Sequence, residues 1–190
     1  MTDQPRTALL AMDFQAGIVA RFGDDPGVLD RAVQAIAAAR EAAIPVVFVR
    51  VAFRAGSPEV SPNNRSFAAL SGSTAFGEDE PTTQIRAELA PQPGEPVVLK
   101  RRVSAFAGSD LDVVLRAARI ERLVLAGIST SGVVLSTLRA AADLDFELLV
   151  LADACADADP EVHRVLTEKV FPRQAEVLTV ADWIARLHST

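Results

Sequence analysis

The sequence is short of several things, and each shortage closes off a class of explanation. It has one cysteine, Cys155, so no internal disulfide can form, which suits a reducing cytoplasm. No apolar run approaches the roughly 18–20 residues that a membrane-spanning helix needs. The stretch MTDQPRTALL has no basic-then-apolar signal pattern, so a cytoplasmic location is expected. Positive charge is in the minority: 19 Lys and Arg stand against 25 Asp and Glu, for a net charge of −6. The basic residues are also scattered, which argues against nucleic acid as the main partner. There is no Gly-x-Gly-x-x-Gly and no Walker motif, so nothing points to a nucleotide. Lysine is scarce, for only Lys100 and Lys169 occur among the 19 basic residues. Arginine does not readily give up its proton, whereas a partly buried lysine can titrate or act as a compact point charge. Lys100 is therefore a candidate for a task that arginine cannot perform.

What is present is a long, regular alternation. The chain has 190 residues, 49% of them hydrophobic, which fits one domain over residues 1–190 with a large core. Apolar runs at 7–14, 44–53, 96–101, 122–129, 146–154 and 175–180 predict strands. Their continuous Val/Leu/Ile character suits parallel strands buried on both faces. Between them, helices are predicted over 26–43, with Asp25 as N-cap and Pro26 at the first position. Further helices are predicted near 81–90, 109–119, 131–143, 160–169 and 181–188. The expected fold is α/β: a three-layer αβα sandwich around a doubly wound, mostly parallel six-stranded sheet. The Gly/Ser/Pro/Asn-rich segment 54–80 interrupts the rhythm and reads as a lid, with Arg54, Arg65, Phe67 and Phe76 available to a ligand.

Ligands of open α/β sheets bind beyond the carboxyl ends of the strands. The first strand delivers Asp13, then Phe14 and Gln15, and the third delivers Lys100. The fourth delivers the turn Ser129-Thr130-Ser131, and the fifth delivers Asp153 and Cys155. A carboxyl group at a dry sheet edge has its pKa raised, and a nearby lysine lowers it, so Asp13 and Lys100 suit acid–base chemistry. The helix start at Ser131 to Val134 offers backbone N–H groups to an anion. Simple capping, of the loop by Asp13 and of the helix by Ser131, is the alternative for each.

Three stretches in order, AMDFQ, VVLKRRVSAFAGSDLDVVLR and LVLAGISTSGVVLSTLRAAADLDFELLVLADACAD, resemble the isochorismatase-like hydrolase superfamily. It contains isochorismatases, nicotinamidases and other small-amide hydrolases, many of them cysteine hydrolases. The resemblance implies catalytic roles for Asp13 and Lys100. It implies a substrate pocket formed by Gln15, Phe106, Ser129, Thr130, Ser131, Gly132 and Val133. The family pattern Gly-x-x-Thr-x-x-Cys-Val falls on Gly127 to Val134, so the nucleophile position is Val133. Valine cannot form a thioester. Members with glycine at that position cleave a vinyl ether, with the aspartate acting as the acid. The resemblance therefore implies a hydrolase of a vinyl ether or amide of a small carboxylic acid, without covalent catalysis. The alternatives are a non-catalytic binding or assembly protein, and an amide hydrolase with a relocated nucleophile at Ser131 or Thr130. Cys155 is expected to be a packed loop residue and Asp153 structural. His163 and His188 are expected to be surface or packing residues. The loop after the second strand contains no histidine for a nicotinamidase-type metal, so no metal or other cofactor is expected. A homodimer or homotetramer is expected from the family habit.

Overall fold

In the computed structural model, residues 5–22, 26–69 and 74–189 are described. The strands are β1 (Thr7–Met12), β2 (Val46–Val51), β3 (Val97–Lys100), β4 (Arg122–Ile128), β5 (Glu147–Ala156) and β6 (Glu176–Leu178). They form one six-stranded sheet in the order β3-β2-β1-β4-β5-β6, and every pairing is parallel. Side chains alternate across a strand, and the two faces feed separate cores. Leu10, Met12, Val49, Leu123, Leu125 and Val150 face one layer, where α4 (Leu111–Ala117) and α5 (Leu135–Asp143) lie. Leu9, Ala11, Phe48, Val124, Ala126 and Leu151 face the other, covered by α2 (Pro26–Glu41) and α7 (Val180–Leu187). This is the three-layer α/β arrangement. Two-sided burial explains the unbroken apolar runs. The short helices α1 (Ala16–Val19), α3 (Arg65–Ala68) and α6 (Pro160–Val165) lie in the connections. The expected N-cap Asp25 lies outside the described residues.

The chain order reverses direction in the sheet between β1 and β4, and ligand crevices form at such a switch point. Gly127 draws the two strands together there: a Cβ at this residue would lie 2.6 Å from the carbonyl oxygen of Met12. No helix among the described residues is long and apolar enough to cross a membrane.

Two expectations need correction. Residues 81–90 do not form a helix; they make two single 3-10 turns, Pro81–Thr83 and Ala87–Leu89. The peptide groups between those turns bond to the chain after β1, with Ala16 N–H donating to Gln84 O (3.0 Å) and Arg86 N–H to Phe14 O (2.9 Å). The segment 54–80 packs its aromatic rings around Phe53. Phe67 packs edge-on against Phe53 at 5.4 Å, and Phe76 lies 6.4 Å from the same ring. Arg54 pairs with Glu59 at 2.7 Å, and Arg65 is exposed on α3. Residues 70–73 of this segment lie outside the described residues.

Candidate functional site

The backbone turns sharply where β1 ends. Asp13 has φ of 59°, a left-handed conformation that Asp and Asn accept more readily than other residues bearing a side chain. Its N–H donates to Val49 O at 2.8 Å. Lys100 ends β3, two strands away, and reaches past β2 to meet it. Lys100 Nζ lies 2.8 Å from Asp13 Oδ2 and donates to Arg102 O at 3.0 Å. Both side chains are buried. Asp13 Oδ1 is also buried and has no hydrogen-bond partner among the described residues. Burial pushes the Asp13 carboxyl above its ordinary value; the charge and hydrogen bond of Lys100 pull it down, but burial wins. A carboxyl group in this state carries a proton more readily than a solvated one and has one oxygen disposed to exchange it.

The turn after β4 lies beside this pair, because Met12 is in register with Gly127 and Asp13 follows Met12. Ser129 caps the coming helix, its Oγ accepting from Gly132 N–H at 3.1 Å. Gly132 is needed here, for a Cβ would sit 2.5 Å from that Oγ. A wide π turn, Thr130–Val134, then leads into α5. The protein itself occupies much of this helix start. Ser131 N–H donates to Asp157 Oδ2 at 2.6 Å. Thr130 is fully buried, with its Oγ1 2.8 Å from His163 Nδ1. Val133 is 2% exposed and belongs to the core cluster of β1, α4 and α5. The site platform thus carries a packing residue at Val133.

Three further residues have partners far along the chain. Gln15, expected in a substrate pocket, holds backbone with its amide. It donates to Val51 O (2.8 Å) and Thr83 O (2.9 Å) and accepts from Val51 N–H (2.7 Å). Phe106 is partly buried against the same apolar layer as Val133, with its ring 6.1 Å from that of Phe146. His163 is not a bystander, because its ring contacts the turn itself. Nothing in the local pattern of α6 announces this; Asp157, just past β5, was the more legible clue as a carboxylate facing a helix start. Cys155 lies within β5, paired with Gly127, and burial pushes its thiol up to about 12. Asp153 is structural: it accepts from Val180 N–H at 2.8 Å, at the start of α7, and pairs with Arg31 at 3.3 Å.

Elsewhere, a cleft of about 630 Å³ opens at the amino edge of the sheet, lined by Arg122, Glu147, Glu176, Trp183 and Arg186 among others. Two ion pairs line it, Arg122 with Glu147 and Arg186 with Glu176, beside Arg6. No cluster of three or more His, Cys, Asp or Glu suited to a metal occurs among the described residues.

The arrangement has relatives. The model of the isochorismatase domain matches residues 7–182. This chain belongs to the isochorismatase family. It is 34% identical over 180 residues to the isochorismatase family protein YecD of Escherichia coli O157:H7, spanning 93% of each chain. It is 37% identical over 177 residues to the ureidoacrylate amidohydrolase RutB of Stutzerimonas stutzeri, covering 82% of this chain and 71% of that protein. An isochorismatase family protein of Burkholderia thailandensis superposes with a TM-score of 0.84 at 28% identity, over 98% of both chains. Family members are hydrolases, and the α/β fold described above is the family's own.

Proposed function

We propose that the protein hydrolyses a small molecule, a vinyl ether or amide of a small carboxylic acid, by acid–base chemistry at Asp13 and Lys100 without a covalent enzyme intermediate. The observation that carries this reading is the buried Asp13 carboxyl, with Oδ2 held by Lys100 and Oδ1 unpartnered. Lys100 fixes the orientation of the carboxyl group, and its positive charge balances the ionised form. For a vinyl ether, the Asp13 proton passes to the alkene carbon, water adds to the resulting cation and returns a proton to Asp13, and the hemiketal breaks into an alcohol and a carbonyl compound. For an amide, ionised Asp13 takes a proton from the attacking water and returns it to the departing nitrogen. The likeness to the ureidoacrylate amidohydrolase supports inclusion of the amide class. Val133, at the position that matches the family nucleophile, supports the absence of a thioester step.

The test is turnover of a panel holding isochorismate, ureidoacrylate and small aliphatic and aromatic amides. Asn tolerates the left-handed φ of residue 13, so Asp13→Asn removes the acid without straining the backbone. It is expected to lower kcat/KM by about 10²–10⁴-fold in protein that is less stable but still folded at the assay temperature. Full activity in a folded Asp13→Asn protein removes this reading. A second reading, a binding protein without turnover, is favoured by the occupied helix start: Asp157 holds Ser131 N–H and Val133 is packed away. It predicts saturable binding of panel compounds with no product formed.

A further inference from the structure

The Ser129–Gly132 turn is gripped from outside the sheet, and the chemistry of that grip fixes a protonation state. The Thr130 hydroxyl is fully buried, and its hydrogen-bond partner among the described residues is His163 Nδ1, at 2.8 Å. A hydroxyl can donate or accept, but a buried donor left without an acceptor is costly. The Thr130 proton therefore goes to Nδ1, which makes Nδ1 the unprotonated nitrogen and places the ring hydrogen on Nε2. The same bond cannot survive protonation of the ring unchanged: Nδ1 becomes a donor, and the Thr130 proton loses its acceptor. Next along the chain, Ser131 N–H is held by Asp157.

The charges around the ring come from three elements. A cleft of about 370 Å³ is lined by His163, by Asp153 and Asp157 from the end of β5, and by Arg31 of α2. On its own helix, Glu161 and Arg164 are paired with each other at 2.7 Å. Arg31 and Asp153 are likewise paired, at 3.3 Å. Asp157 is left as the nearby charge that favours imidazolium, and burial of the ring opposes it more strongly.

We infer that His163 is a positioning residue of the site: as a neutral imidazole it holds Thr130, and with it the turn beside Asp13, from α6. This rests on the role proposed for Asp13, but its first test does not. The chain has two histidines, so long-range ¹H–¹⁵N spectra resolve both rings, with His188 as an internal reference. His163 is expected in the Nε2–H form at neutral pH, titrating below the ordinary 6.5. The backbone amide signals of Ser129 to Gly132 should move with the same midpoint. His163→Asn places a neutral carbonyl oxygen near the position of Nδ1 and should hold those amides in place at every pH. His163→Phe should displace them at every pH. An Nδ1–H ring, turn amides indifferent to the His163 titration, or Asn and Phe variants that behave alike would each overturn the inference. With a substrate in hand, the acidic limb of kcat/KM at the His163 midpoint should vanish in His163→Asn. If Asp13→Asn proves fully active while the spectra behave as stated, the acid–base reading fails and the positioning role stands.

Discussion

Removing the charges of Asp13 and Lys100 one at a time and then together tests what holds the pair. Two unit charges 2.8 Å apart attract by about 6 kcal/mol at an effective dielectric constant near 20. Burial of both works against that attraction, and for Asp13 burial is the larger influence. The net worth of the pair is therefore small, while the cost of breaking it is not. Loss of one partner leaves the other charge buried without compensation, at a cost of about 3–5 kcal/mol. Asp13→Asn and Lys100→Met should each destabilise the fold by that order, and the double variant should lie within about 1 kcal/mol of wild type. Lys100→Met has an escape, because Asp13 can take up a proton. A carboxyl group whose folded pKa is raised contributes full stability below the ordinary 3.8 and loses it as pH rises through the folded value. Without Lys100 that folded value climbs further, so the deficit of Lys100→Met should shrink on moving from pH 8 to pH 5, roughly in step with protonation. Urea denaturation of the four proteins across that range measures it. If the double variant loses the sum of the two single losses, the carboxylate and the ammonium are not coupled, and the account of the site is wrong.

Other perturbations probe the frame around the pair. Gly127→Ala drives a methyl group to 2.6 Å from Met12 O, so β1 and β4 must part; a loss of about 1–3 kcal/mol, read in urea, is expected. Gln15→Leu removes three hydrogen bonds to Val51 and Thr83 and leaves buried peptide groups unsatisfied. It should lower the melting temperature by at least about 4 °C, and an unchanged melting curve would deny Gln15 its structural role. Cys155, with its thiol pushed up to about 12, should resist iodoacetamide at neutral pH in the folded protein. Cys155→Ala should keep any turnover, whereas loss of activity on alkylation of the wild type alone would return a thiol to the mechanism.

The fold could be read because its strands are buried on both faces. Runs such as "LVLAGI" have no other comfortable home, and a parallel sheet follows from their alternation with helices. Asp13 and Lys100 could be placed at the carboxyl edge because each ends an apolar run. What resisted reading were side chains whose partners lie far along the chain. Gln15 follows a strand as a ligand-binding residue does, and only contacts 36 and 68 residues away reveal it as a brace. The helix expected over 81–90 yields to bonds with the chain after β1, where tertiary contact outweighs local propensity. The fifth strand runs on to Ala156, because a register shift opposite Leu125 and Gly127 brings Cys155 back into the ladder.

The Asp157–Ser131 contact makes the start of α5 a contested seat. The carboxylate is tethered by its own chain, so it rebinds as though present at millimolar concentration or above. A free anion must outbid that resident, which a weakly held carboxylate of a small substrate does poorly. Compounds that present a neutral carbonyl toward the turn, and their acidic group elsewhere, meet no such competitor. The same contact bears on what would leave under the proposed hydrolysis: an acid released beside the turn would meet Asp157 as a like charge and be repelled rather than retained, a bias against product inhibition.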